Sequence, residues 1–147
     1  MRPAAAVLDA SITAPWFLPD EASESSDGAY ALMRRGSLVF HAPELWLWEC
    51  GNIIASAVKR RRLTNDDALL AWSAVDSIRT RVVFAEPQPG HVAAAFSLAL
   101  EHGLSVYDAA YLRLASSLAL PLLTADRALA RAASAHGVHA LQLKDLG

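Results

Sequence analysis

Residues 4–11 read AAAVLDAS. Ala4 to Leu8 is a short apolar run that stops on a carboxylate, Asp9. A run of this length bounded by a polar residue reads as a buried strand. Four later runs share its character: SLVFHA (37–42), RVVFA (81–85), LPLLTA (120–125) and VHALQL (138–143). Between them lie segments with Ala, Leu and charges at helical spacing: 43–62, 64–79, 90–103, 105–119 and 126–137. Several open on Thr, Ser or Asp and close near Gly, as helices do. The order β-α-β-α-α-β-α-α-β-α-β requires crossover connections, hence a largely parallel sheet with helices on both faces. Ligands of such sheets bind in the crevice beyond the C-terminal strand ends. Asp9 ends the first strand, and Asp126 follows the fourth in LLTAD.

The rest of the chain fits one domain over residues 1–147. The most polar stretch, PDEASESSDG (19–28), is either a loop at its centre or the exposed start of a helix running through AYALMRRG, which Gly36 ends. The single cysteine, Cys50, excludes an internal disulfide and suits a reducing compartment. No run approaches the ~18 apolar residues of a membrane span, and the start lacks the uninterrupted run of a secretory signal. The expected location is the cytoplasm. The formal net charge is −2, so binding of nucleic acid has to rely on a local patch or a metal.

Four acids stand out. Asp9 is either a helix cap for SITAPWF or a functional group. Asp126 opens the last helix, where Asp is a common cap, with Thr124 as a second cap or an extra oxygen ligand. Asp108 completes an S-x-x-D capping box with Ser105, yet it leads a strongly apolar helix. Glu49 falls on the flank of an apolar face defined by Trp46, Cys50, Ile53 and Ala57. It is either paired with an Arg, led past the Trp rings to solvent, or functional. If the four converge, each like-charge pair at ~4 Å costs about 4 kcal/mol at an effective dielectric of ~20. Such a cluster protonates or takes a cation. An all-oxygen donor set favours Mg2+ or Mn2+, and no Cys/His spacing points to zinc. His91, His102, His136 and His139 are scattered and read as surface or packing residues.

VLDAS, PELWLWECGNII, SVYDAAYLRLA and LLTADRALARAA occur in that order along nearly the whole chain. Together they resemble the PIN-domain nucleases, especially the VapC toxins of toxin–antitoxin pairs. The resemblance implies an α/β/α sandwich on a five-stranded sheet of order 3-2-1-4-5. It implies Asp9, Glu49, Asp108 and Asp126 as an acidic quartet that binds one or two Mg2+ (or Mn2+) ions and hydrolyses RNA phosphodiester bonds. Asp9 and Asp108 are then the direct ligands. Asp126 serves a second ion or an ordered water, and Glu49 is a ligand or a base. Ser11 and Thr124 flank the site, with Asn52 one turn after Glu49. The expected partners are an RNA substrate, a cognate antitoxin protein and a second copy of the chain in a homodimer. A fifth acid found in some relatives is absent, since positions 128–130 are Ala-Leu-Ala.

The basic run Lys59-Arg60-Arg61-Arg62 has two readings: an RNA phosphate patch, or cations complementing a helix C-terminus. Arg34 and Arg35 share that ambiguity. Trp16, Phe17 and Trp72 are either core or exposed apolar surface for a partner. Two other functions fit parts of the pattern. One is an inactive PIN-like binding protein. The other is a phosphoacceptor receiver domain, which calls for adjacent acids after the first strand and a Lys ending the last.

Overall fold

The computed structural model describes all residues 1–147. Five strands form one wholly parallel sheet: β1 (Ala5–Leu8), β2 (Val39–Ala42), β3 (Val82–Phe84), β4 (Leu122–Leu123) and β5 (Ala140–Leu141). Their spatial order is β3-β2-β1-β4-β5. β1 is central, with Ala5 opposite Val39 on one side and Val7 opposite Leu122 on the other. It is buried on both faces, which is why it reads as an unbroken apolar run. The receiver reading fails on this order, because receiver-type sheets run 2-1-3-4-5.

The helices are α1 (Ala10–Phe17), α2 (Glu24–Arg34), α3 (Leu45–Lys59), α4 (Asn65–Arg79), α5 (His91–His102), α6 (Val106–Leu118) and α7 (Arg127–Ala135). Right-handed crossovers put α1–α4 on one face of the sheet and α5–α7 on the other. The packing follows suit: α1 contacts α2, α3 and α4, while α6 contacts α5 and α7. No helix is long and apolar enough to cross a membrane.

Three expectations need correcting. The β1–β2 connection holds two helices, not one. α1 keeps its helical form through Pro15, and the polar stretch resolves into a 3-10 turn at Pro19–Glu21 followed by α2. Ser23 caps α2 by accepting from the Ser26 N–H, so helix begins inside the polar run. On α3 the buried face is Trp46, Cys50, Ile54 and Ala57, with Ile53 only half-buried. The last two strands are two residues long, shorter than the apolar runs that contain them: Thr124 leaves β4 for the site, and the chain after β5 enters a 3-10 turn at Leu143–Leu146.

Trp16 and Phe17 belong to the core. The Trp16 indole N–H donates to the Ser26 carbonyl at 2.9 Å, and its ring packs on Tyr30 and Phe40. Trp72 is partly exposed and lines a surface groove with Trp48. Cys50 is buried, its thiol pushed up to about 12 by desolvation, and it is inert in this setting.

Candidate active site

The sheet order reverses between β1 and β4, and both strands deliver their next residue to the same edge. Asp9 follows β1 and is only 4% exposed. Its position is that of the α1 cap, yet its carboxylate makes no capping bond. Oδ2 accepts instead from Ser11 Oγ and Thr124 Oγ1, each at 2.7 Å. Each hydroxyl spends its one proton on Asp9 and accepts a backbone N–H in return. Ser11 Oγ takes Ala125 N–H at 3.1 Å, and Thr124 Oγ1 takes Asp126 N–H at 3.0 Å. Two side chains thus tie the β1 end to the β4–α7 turn through Asp9.

Asp126 caps α7, with Oδ1 accepting from Leu129 N–H at 3.0 Å. Capping uses one oxygen and leaves the other free of bonds from the chain. Asp108 sits in the first turn of α6. Ser105 Oγ accepts from its N–H at 3.0 Å, but the reciprocal bond of the expected capping box is not formed. Its carboxylate is therefore not committed to the helix start. Glu49 has no ion-pair partner. Its Oε1 is buried without a hydrogen bond, as is the Tyr111 hydroxyl that faces it.

The electrostatics tie the four together. Burial raises the Asp9 carboxyl above its ordinary range; the Ser11 and Thr124 bonds oppose the rise, and Asp126 adds to it. Glu49 is raised by desolvation first, with Tyr111 opposing and the charges of Asp9 and Asp108 adding. Asp108 is raised by desolvation, then by Asp126 and Asp9. Every one of these groups feels at least one of the others, so the acids share one field. They are not crowded into a ready chelate: no three of their oxygens approach within 4.8 Å of one another, as repulsion among like charges demands. The N-terminal ends of α1, α6 and α7 lie at these residues and partly offset the charge.

A group that suits this place is a hard divalent cation. All donors are oxygens, the buried Glu49 Oε1 has only the Tyr111 hydroxyl near it and no well-formed hydrogen bond, and no Lys or Arg is paired with the four acids. Tyr111, three residues after Asp108 on α6, is the neighbour that sequence reasoning passed over. The (i, i+3) spacing from Asp108 is the signal that finds it.

The remaining expected residues lie further out. Asn52 is exposed and lines a groove with Trp48, Ala55 and Trp72. Of the basic run, Arg62 is committed: it pairs with Asp20 at 2.7 Å and Glu21 at 3.0 Å. Lys59 ends α3, Arg60 is its cap, and Arg61 turns the chain at φ 60°. The histidines are not all scattered, since His102 and His136 meet at 3.4 Å.

Comparison with known proteins agrees with this architecture. Residues 6–135 match the PIN domain model. The chain is 34% identical over 128 residues to Ribonuclease VapC3 of Pyrobaculum aerophilum, covering 84% of this chain and 91% of that one. Among solved structures, PAE2754 of Pyrobaculum aerophilum superposes with a TM-score of 0.71 at 24% identity, over 99% of this chain and 95% of that one. VapBC2 from Rickettsia felis, bound to a DNA fragment from their promoter, gives 0.65 at 12% identity, over 94% and 98%. Family model and relative each cover 84% or more of the chain, and the fold and its acidic edge stand independently beside them: this chain belongs to the PIN-domain family and, within it, to the VapC type.

Proposed function

We propose that the chain is a metal-dependent endoribonuclease, the toxin of a toxin–antitoxin pair, acting in the cytoplasm as one PIN domain over residues 1–147. The observation that carries this reading is the shared field of Asp9, Glu49, Asp108 and Asp126, with Glu49 Oε1 buried and without a cation beside it. The named relative is a ribonuclease. Asp9 and Asp108 would be the direct ligands of Mg2+ or Mn2+, with Asp126 serving a second ion or an ordered water. When bound, the cation polarises the scissile phosphate and makes water a stronger nucleophile. Asp9 is pre-set for its role because Ser11 and Thr124 fix its rotamer from two sides. Glu49, raised by burial, is suited to accept the proton of the attacking water.

Partners have surfaces ready. Trp48 and Trp72 line one groove between α3 and α4, and Val92, Phe96 and Leu100 form an exposed stripe on α5. Apolar patches of this kind mark interaction surfaces. We assign them to a homodimer and a cognate antitoxin. Lys59, Arg60 and Arg61 are assigned as RNA phosphate contacts, with Arg62 joining them only by leaving its surface ion pairs with Asp20 and Glu21.

The test is cleavage of a mixed RNA pool by purified protein with Mg2+ or Mn2+. Cleavage that stops with EDTA and is abolished by Asp9→Asn supports the reading. Cleavage that survives both would overturn it, as would a folded wild-type protein that cuts no RNA in either metal. The inactive-binder alternative predicts that last outcome.

A further inference from the structure

His102 ends α5 and His136 caps the C-terminus of α7. They lie 34 residues apart in the chain, yet His102 Nε2 and His136 Nδ1 are 3.4 Å apart, with the rings edge to face at 87°. Glu101 Oε1 lies 3.8 Å from the same Nε2. The three atoms all fall within 4.8 Å of one another, and this is the one such trio in the chain. It contains none of the four acids. α7 carries the chain about 15 Å along its axis between Asp126 and His136.

Three atoms with lone pairs lie close enough together to share one ion. Whichever nitrogen carries a proton, that one proton cannot satisfy both remaining partners. A single cation can. A tetrahedral ion with metal–nitrogen bonds of about 2.0–2.1 Å sets its ligand atoms about 3.3–3.4 Å apart, which is the separation of the two nitrogens. The helices add to the case. Both α5 and α7 end here, so two sets of C-terminal carbonyls make the place electronegative. Glu101 in the last turn of α5 is on the wrong end of its helix unless a positive charge compensates it. His102 is largely shielded from solvent, its side chain 11% exposed, while Glu101 at 61% keeps the site open to entry.

We propose that Glu101, His102 and His136 form a second metal site, distinct from the acidic one, for a divalent transition ion of the zinc class. Two imidazoles and one carboxylate suit Zn2+ and its neighbours and disfavour Mg2+. A water completes a tetrahedral shell. Occupancy links the end of α5, three residues before the Ser105 cap of α6, to the end of α7. The ion is then a clamp between two helices that otherwise both rest on α6.

The experiment uses the full chain without a polyhistidine tag, stripped with EDTA and titrated with Co2+ as a visible probe of geometry, then with Zn2+ in competition. Wild type and Asp9→Asn are expected to bind one equivalent with the intense bands of tetrahedral Co2+, displaced by Zn2+. His136→Gln is expected to lose those bands and to bind at least 10-fold more weakly, and Glu101→Gln to weaken binding by a smaller factor. Zn2+ then raises the Tm of Asp9→Asn but not of the Asp9→Asn/His136→Gln double variant, in which both sites are impaired. Should His102→Gln fail to fold, His136→Gln decides, with its metal-free melt as the folding control. Bands absent in wild type, or bands unchanged in His136→Gln, would overturn the proposal and leave the two rings as a hydrogen-bonded pair. Bands lost in Asp9→Asn would do the same by assigning the ion to the acidic edge.

Discussion

Thr124 Oγ1 donates a 2.7 Å hydrogen bond to Asp9 Oδ2 across 115 residues of chain, while its own oxygen holds the Asp126 N–H. One hydroxyl therefore sets both the charge of the first acid and the position of the fourth. Thr124→Val keeps the shape and removes the bond. A hydrogen bond to a charged group is worth about 1.5–3 kcal/mol, and Thr124 is one of the bonds that hold the Asp9 carboxyl down, so its loss raises that carboxyl further. The acid limb of the cleavage profile is expected to move to higher pH. Thr124→Ser restores it. A limb that stays in place in the Val variant would show that Thr124 only supports the fold.

The three raised carboxyls carry a stability signature. Asp9, Glu49 and Asp108 all have folded pKa values above their unfolded ones. Between those values the native state binds more protons than the unfolded state, so stability falls as pH rises. In EDTA the Tm is expected to be higher near pH 5 than near pH 7.5. His41, held below its ordinary range by burial, gives the opposite slope. Asp20, lowered chiefly by the Arg62 bond, and Asp67, lowered by the Thr64 backbone, act only below about pH 4. Excess Mg2+ separates these contributions: it flattens the slope from the acids and leaves that of His41 intact. A Tm difference indifferent to Mg2+ would assign the slope elsewhere.

Asp108→Asn tests the same field from one member. Removing this charge relieves Asp9 and Glu49. The metal-free variant is expected to melt above wild type at neutral pH, and to gain less from Mg2+. Cleavage is expected to fall by at least 100-fold, about 2.7 kcal/mol of barrier. A variant that melts lower in EDTA would show that the carboxylate stabilises the fold and is not a burden on it. Differential scanning fluorimetry with and without Mg2+ reads both effects.

Much of this was legible in the letters. β1 is apolar on both faces because it is the central strand, and a central strand announces itself. Asp9 ends it in an unmistakable place. Glu49 was visible as an acid on an apolar flank. The parts that were not legible depend on partners far away in the chain. Nothing local shows that Asp9 forgoes capping for a threonine 115 residues on. The capping box of Ser105 and Asp108 reads as complete, and only the backbone shows that half of it is missing. Arg62 reads as a free cation until Asp20 and Glu21 fold back on it. His102 and His136 have no shared motif, because two helix ends meet only after α5 and α7 dock.

Ala119 gives a test of the scaffold free of the chemistry. α6 ends at Leu118, and Ala119 takes φ 52° and ψ 41°, the left-handed conformation. The Leu120 N–H then reaches back to the Ala115 carbonyl at 3.0 Å, closing the helix end. Glycine is the usual residue here, because a Cβ meets the following carbonyl. That clash costs roughly 1–2 kcal/mol, whereas glycine loses about 0.5–1 kcal/mol more backbone entropy on folding. Ala119→Gly is therefore expected to stabilise the protein by about 0.5–1 kcal/mol. The side chain is exposed, so no packing is lost. Urea unfolding should show a higher midpoint with an unchanged slope, and RNA cleavage unchanged. A lower midpoint would mean that the turn relaxes in solution out of the left-handed region, and that the α6–β4 connection is held by Pro121 and the sheet instead of by the helix end.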